Sequence, residues 1–111
     1  MEEQKGYSYY ISAKEKQIIN DVFHIRRYKS ASDAIRDILI FFNNNASKQE
    51  MSKIKTSRGD VCSIGISQTM EFLTLIDKAY KKTNKVRKTN KNQTLRIAIN
   101  YALIYDIINN H

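Results

Sequence analysis

One pattern occurs twice along this chain, and it limits the fold more than any other feature. The pattern is a short alternating strand, an amphipathic helix, a capped turn and a second amphipathic helix. The first copy covers residues 6–43 and the second covers residues 61–109. A unit of about 40 residues is close to the smallest that folds alone, so each copy needs a partner. Two copies in one chain supply that partner and predict one compact domain.

The first copy opens with a strand. Tyr7, Tyr9 and Ile11 occupy alternate positions and predict an inward face. The positions between them are expected to face outward. Ser12 follows as the N-cap of a helix, and Glu15 three residues later completes a capping box.

Two helices complete the first copy. The first carries apolar residues at helical spacing, namely Ile18, Ile19, Val22 and Phe23. After a short connection, Ser30 is the predicted N-cap of the second helix, and Asp33 is placed to return a hydrogen bond to it. The second helix should end near residues 43–45. Its apolar stripe consists of Ala34, Ile35, Ile38, Leu39 and Phe42.

Residues 44–60 are polar and basic, and they are expected to link the two copies. Two structures remain open for this segment. One is a flexible basic linker. The other is a short extra strand over residues 51–56, which would place Lys53 and Lys55 on one face for contact with a polyanion.

The second copy repeats the strand and the first helix. Cys62, Ile64 and Ile66 predict the inward face of the strand, and Ser67 or Thr69 is placed to cap the helix that follows. The apolar stripe of that helix consists of Phe72, Leu73, Ile76, Ala79 and Tyr80.

A basic connection over residues 81–89 leads to the last helix. Asn90 is its predicted N-cap, and Gln93 takes the place of Asp33. One apolar stripe matches that of the first copy position for position and consists of Leu95, Ala98, Ile99, Ala102 and Leu103. A second stripe consists of Ile97, Tyr101, Ile104, Tyr105 and Ile108. Two stripes are typical either of a central core helix or of a surface for contact between chains.

The charge balance favours a polyanionic partner, nucleic acid first. The net charge is +8 and the sequence pI is about 9.6. Cys62 is the only cysteine, which fits a reducing compartment. No signal peptide and no apolar run of membrane-spanning length is present, so we expect a cytoplasmic protein without membrane contact. The sequence has no catalytic, metal-binding or phosphate-loop motif, so we expect no enzyme activity, cofactor, metal or small-molecule substrate.

These residues resemble the ribbon-helix-helix superfamily of DNA-binding regulators. The resemblance is carried by residues 9–12, 18–22 and 29–39 of the first copy and by residues 90–96 of the second. Tandem copies are similar to those of conjugative plasmid accessory proteins and of transcription regulators from archaeal filamentous viruses. The resemblance implies a mainly α fold with a small antiparallel β ribbon, ordered (β-α-α)2. We expect an intrachain pseudo-dimer, with pairing of like copies between two chains as the alternative.

In this superfamily the ribbon enters the major groove, and outward strand residues read base edges. By resemblance, the base-facing residues of this chain are Ser8, Tyr10, Ser63 and Gly65. These side chains are short or bulky compared with the long polar residues usual at such positions. Base readout is therefore expected to involve few direct contacts with base edges or to be partly mediated by water.

Phosphate contacts are expected where the second helix of each copy begins. A helix N-terminus presents unpaired N–H groups and partial positive charge to an anion. These ends hold Lys29, Ser30 and Ala31 in the first copy, and Asn90 and Lys91 in the second. The basic connection adds Lys81, Lys82, Lys85, Arg87 and Lys88.

The sequence thus predicts a sequence-specific regulator of transcription that binds double-stranded DNA, from a virus, a plasmid or a prokaryotic host. Two alternatives remain open. One is a structural or relaxosome-type accessory protein that coats DNA and forms homo-oligomers through its last helix. The other is an antitoxin of the same superfamily, which would bind a partner protein. If the protein is viral, it is expected in the host cytoplasm.

Overall fold

The computed structural model describes residues 6–25, 31–56 and 61–105. Within these residues the chain is mainly helical, with one sheet of two strands. In chain order the elements are β1 (Gly6–Ser12), α1 (Ala13–Ile25), α2 (Ala31–Asn45), α3 (Lys48–Lys53), β2 (Val61–Ser67), α4 (Met70–Asn84) and α5 (Lys91–Tyr105). None of the described helices is long and apolar enough to span a membrane.

Local capping explains where several helices begin. The Ser12 N–H donates to Glu15 Oε1 at 2.8 Å, and the Glu15 N–H donates to Ser12 Oγ at 3.1 Å. This confirms the predicted capping box, which satisfies two backbone N–H groups at the start of α1. Thr69 caps α4 by accepting from the Phe72 N–H, and Asn90 caps α5 by accepting from the Gln93 N–H at 2.8 Å.

The two strands pair antiparallel within one chain. Tyr9 lies opposite Ile64, with Ser8 opposite Gly65 and Tyr10 opposite Ser63. Tyr9 is buried, whereas Tyr10 is 56% exposed, as the alternation of the sequence predicts. The sheet therefore has one face against the helices and one face open.

The apolar stripes of the helices converge beneath the sheet into one core. α2 packs against α1, α4 and α5, and α5 packs against α1, α2 and α4. The predicted stripe of α2 is confirmed, because all five of its side chains are buried. The described members of the α1 stripe, Ile18 and Ile19, are buried as well. The side chains of Val22 and Phe23 lie outside the described residues.

The linker folds differently from either expectation. Residues 48–53 form a helix, so the extra strand over residues 51–56 is wrong, and this part of the segment is not a flexible linker. Ser47 caps this helix in a box with Glu50, while Met51 and Ile54 are buried in the core. A weak alternation misled the prediction because Met51 and Ile54, three positions apart, also share one helical face.

The basic connection is shorter than expected. α4 continues to Asn84, so Lys81 and Lys82 belong to its last turn. A short turn follows, in which the Val86 and Arg87 N–H groups both donate to the Thr83 carbonyl, at 2.9 and 3.0 Å. Thr83, in the last turn of α4, is buried, and its hydroxyl lies 2.9 Å from that of Thr94. Sequence alone showed only a polar, lysine-rich run.

Candidate nucleic-acid interface

The open face of the ribbon carries the four predicted base-facing residues. Ser8, Tyr10, Ser63 and Gly65 are all exposed. Gly65 faces open space, because a Cβ atom added there would meet no atom within 4 Å beyond its own chain neighbours. Tyr10 and Gly65 occupy equivalent positions in the two copies. The ribbon therefore carries a bulky aromatic side chain on β1 and open space at the equivalent position of β2.

Asn92 ties the ribbon to the start of α5. The Tyr10 N–H donates to Asn92 Oδ1 at 2.8 Å, and Asn92 Nδ2 donates to the Tyr10 carbonyl at 2.9 Å. The side-chain amide thus behaves like one residue of a third strand and occupies the outer edge of β1. Sequence patterns gave no sign of this role, because Asn92 and Tyr10 are far apart along the chain.

The N-terminus of α5 lies beside the ribbon as a result. Lys91 is exposed there, next to the cap residue Asn90. In the first copy, Lys29 and Ser30 lie outside the described residues, so their predicted roles stay predictions. Ala31 is the first described residue of α2.

A cleft of about 730 Å³, here called the ribbon cleft, opens where β1 meets the start of α5. Its basic side chains are Lys55, Arg87 and Arg96, and Tyr10 and Asn92 form part of its wall. Arg87 Nη2 is buried and has no hydrogen-bond partner among the described residues. The ribbon cleft thus places Arg87, a predicted phosphate contact, and Lys55, a possible linker contact, next to the predicted base-facing residue Tyr10.

Three other predicted phosphate contacts lie elsewhere. Lys81, Lys82 and Lys85 line a second cleft of about 420 Å³ at the far end of α2, together with Lys48 and Lys78. We call this the lysine cleft. Among the described residues, none lines both this cleft and the ribbon cleft, which holds Arg87 of the same basic run. The structure therefore divides the predicted basic patch into two sites.

Lys82 has a structural role in the lysine cleft. Its Nζ donates to the Asn43 carbonyl at 2.8 Å and to the Phe42 carbonyl at 3.4 Å. The Phe42 carbonyl also accepts from the Ala46 N–H at 3.0 Å, whereas the Asn43 carbonyl is among those that a helix end leaves unpaired, so the ammonium caps α2. Burial, and then repulsion from Lys78, lowers the pKa of Lys82, while Glu50 opposes that shift. The prediction of a phosphate contact overlooked this role because α2 belongs to the other copy and is distant in sequence.

A buried polar cluster supports the ribbon from inside. Glu15 is fully buried and accepts from Arg96 Nε at 2.8 Å and from Asn100 Nδ2 at 2.7 Å. Burial acts to raise the pKa of Glu15. Hydrogen bonds from Arg96, the Ser12 backbone and Asn100 outweigh burial and hold that pKa below its usual value.

The second stripe of the last helix is mostly internal. Ile97 and Tyr101 are buried, whereas Ile104 is 56% exposed, and Ile108 lies outside the described residues. Tyr101 stacks on Tyr105 at 4.5 Å between ring centroids. The first residues of this stripe are therefore part of the core. For these residues, this agrees with the prediction of a central core helix and not with that of a surface for contact between chains.

Lys53 and Lys88, two further predicted contacts, are exposed outside both clefts. Comparison with models of known protein families, with curated proteins and with solved structures gives no match.

Proposed function

We propose that this protein is a sequence-specific regulator that binds double-stranded DNA with its β ribbon in the major groove. We further propose that its two β-α-α copies form a ribbon-helix-helix pseudo-dimer within one chain. The observation that carries both proposals is the open ribbon face with Ser8, Tyr10, Ser63 and Gly65 exposed. A two-stranded ribbon has the size that the major groove admits.

The strand register supports the pseudo-dimer. Tyr9 and Ile64 occupy equivalent places in the two copies, and they pair with each other. In the repeat, Ser8 is equivalent to Ser63 and Tyr10 is equivalent to Gly65. In the ribbon each residue pairs with the equivalent of the other, because Ser8 lies opposite Gly65 and Tyr10 lies opposite Ser63. This is the register that a two-fold axis through the middle of the ribbon produces.

The ion pairs between copies support it as well. Arg96 of α5 pairs with Glu15 of α1 at 2.8 Å, and Arg36 of α2 pairs with Glu71 of α4 at 2.9 Å. Arg36 and Arg96 occupy corresponding places in the second helix of each copy, and both glutamates lie in the first turn of a helix that follows a strand. Exchanging the copies therefore brings one pair close to the other, with Glu15 the third residue of its helix and Glu71 the second.

Phosphate binding is assigned to the side of the molecule that holds the ribbon. The free N–H groups at the start of α5 and the charges of Lys55, Arg87 and Lys91 flank the outward face. Such contacts fix the orientation of a duplex without reading its sequence. Tyr10, whose ring is apolar and whose hydroxyl is polar, is the strongest candidate for contact with a thymine methyl group.

Selection from a random duplex library tests the proposal. The full chain is expected to enrich a short site, and light scattering of the complex should show one chain for each site. Because Tyr10 and Gly65 differ on the two strands of the ribbon, the enriched site should lack strict two-fold symmetry. Equal affinity for every duplex would refute specific readout, and two chains on a palindromic site would refute pairing within one chain.

The salt dependence of binding separates the two basic sites. If about four phosphates are neutralised, log affinity should fall against log salt with a slope near −3.6. Lys91→Gln should weaken binding to all duplexes alike and reduce the slope by about 1. Lys78→Gln is the matched control, because it removes an exposed lysine of α4 outside the ribbon cleft. An equal loss in both variants would contradict the assignment of phosphates to the ribbon side.

A further inference from the structure

The lysine cleft combines an apolar floor with a basic rim. Ala46 and Met51 lie at its base, and both are buried. Five lysines contribute to its lining and give it a basic rim, namely Lys48, Lys78, Lys81, Lys82 and Lys85. A ring of like charges repels itself, so the site lowers its free energy when an anionic group enters.

Few of these charges are neutralised within the chain. Lys81 pairs with Asp77 at 3.2 Å, and Lys82 is held by the carbonyls that end α2. Lys48, Lys78 and Lys85 have no ion-pair partner among residues 6–25, 31–56 and 61–105. The rim therefore keeps three lysines for an external partner.

Asn43 adds a separate observation that identifies the kind of partner. It lines the cleft and is only 9% exposed. Its Nδ2 donates to the Leu75 carbonyl at 3.2 Å, which fixes the orientation of the amide. Its Oδ1 is buried and has no hydrogen-bond partner in the described part of the chain. An unpaired buried acceptor is costly, and an N–H donor from a ligand would satisfy it.

We propose that the lysine cleft binds an acidic, amphipathic segment of a partner protein. Carboxylates of such a segment would meet the lysine rim, and an apolar side chain would rest on Ala46 and Met51. Asn43 Oδ1 is covered in the free chain, so a backbone N–H of the segment would reach it after a local side-chain movement. A DNA phosphodiester has neither an N–H donor nor an apolar group, so the floor and Asn43 favour a peptide. A second copy of this chain is disfavoured because each copy carries a net charge of +8.

This site is independent of the proposed DNA interface. Among the described residues the two clefts share no lining residue, and Lys85 of the lysine cleft lies two positions from Arg87 of the ribbon cleft. Both can therefore be occupied at once, and the protein would connect a duplex to a second protein. This arrangement suits a regulator that recruits another component to its DNA site.

Methionine methyl groups provide a direct test. The chain has three methionines, of which Met51 lies in the lysine cleft and Met70, 79% exposed, follows the end of β2. In the full chain labelled with ¹³C at these methyls, a short synthetic peptide of glutamate and leucine should shift the Met51 signal saturably and leave Met70 unchanged. Control peptides with glutamine for glutamate, or with glycine for leucine, should bind much more weakly.

A double variant, Lys48→Glu with Lys78→Glu, completes the test. Both side chains are exposed, and neither belongs to the proposed DNA interface, so folding and the site selected from random duplexes should be unchanged. Affinity for the glutamate–leucine peptide should fall about tenfold or more. The proposal is overturned if the peptide fails to bind, if it shifts Met70 instead of Met51, or if duplex DNA shifts Met51 as far. Failure of DNA selection alone leaves these peptide results unaffected.

Discussion

The two ion pairs that link the copies have the same topology and different surroundings. Glu15 is fully buried in its pair with Arg96, and the side chain of Arg96 is 22% exposed. Glu71 is 60% exposed in its pair with Arg36, and the side chain of Arg36 is 43% exposed. Glu15 also accepts hydrogen bonds from Asn100 Nδ2 and from the Ser12 N–H. In the exposed pair, Arg36 also forms an ion pair with Asp33 at 3.2 Å.

This difference shows that equivalent contacts carry unequal energies. Water screens the charges of an exposed pair and competes for their hydrogen bonds, so its contribution is small. A buried carboxylate has lost its hydrogen bonds to water and accepts hydrogen bonds from protein groups instead. If the carboxylate is removed, each of those donors loses its acceptor. The start of α1 should therefore be much more sensitive to substitution than the start of α4.

Removing the buried carboxylate should produce the largest effect. Glu15→Ala takes away the acceptor shared by Arg96, Asn100 and Ser12, and we expect unfolding to become easier by about 3 kcal/mol. Urea denaturation followed by circular dichroism measures the change. Glu71→Ala is the matched control, and its urea midpoint should stay close to that of the wild type. Equal losses in the two variants would contradict the unequal burial of the pairs.

The stability of the wild type should depend on pH through the same residue. Because folding lowers the pKa of Glu15, its contribution is complete above the unfolded value of about 4.3 and is lost as the pH falls through the folded pKa. Glu50, whose pKa is lowered first by its backbone hydrogen bond from Ser47, acts in the same direction. Urea midpoints between neutral pH and pH about 3 should fall less steeply in Glu15→Gln than in the wild type or Glu71→Gln. A parallel fall in all three proteins would exclude Glu15 as the titrating group.

A smaller effect is expected at the edge of the ribbon. Asn92→Ala removes both hydrogen bonds to the Tyr10 backbone, and the net loss in an exposed site should be about 1 kcal/mol. Amide hydrogen exchange at Tyr10 should accelerate. Ser32→Ala, at the place in the first copy that corresponds to Asn92, is the matched control and should leave Tyr10 unchanged. Unaltered protection in Asn92→Ala would mean that the side chain does not hold the strand.

The smallest change in stability is expected at Gly65. Because nothing lies within 4 Å of an added Cβ, Gly65→Tyr should alter the free energy of unfolding by no more than about 0.5 kcal/mol. The variant makes the two strands alike at the equivalent places of Tyr10 and Gly65. If the ribbon reads DNA as proposed, the site selected by the variant should become more nearly symmetric, and an unchanged site would argue against contact at this position.

Comparison of particular residues shows which parts of this structure could be predicted. The alternation of Tyr9, Tyr10 and Ile11 correctly indicated the two faces of β1, and the Ser12–Glu15 box correctly marked the start of α1. Both signals are local, since side-chain direction alternates along a strand and a cap spans one helical turn. The helix at Lys48–Lys53 was missed because so short a segment with one buried side chain carries too little periodicity to distinguish helix from strand.

The lysines show the other limit. The sequence places Lys81, Lys82, Arg87 and Lys88 in one basic run, which predicted one phosphate-binding patch. Packing directs Lys82 to the end of α2 and Arg87 into the ribbon cleft. Neighbours along a helix point in different directions, so a run of charges says little about which of them share a surface.

Local sequence was enough to set the order of strands and helices apart from the helix at Lys48–Lys53, the inward faces of these elements and several of their caps, because each depends on residues within one or two turns. The strand register centred on Tyr9 and Ile64, the burial of Glu15 beside Arg96, and the separation of the ribbon cleft from the lysine cleft arose only on folding. Those features join residues that are distant along the chain, and the packing of the apolar stripes sets which distant side chains meet.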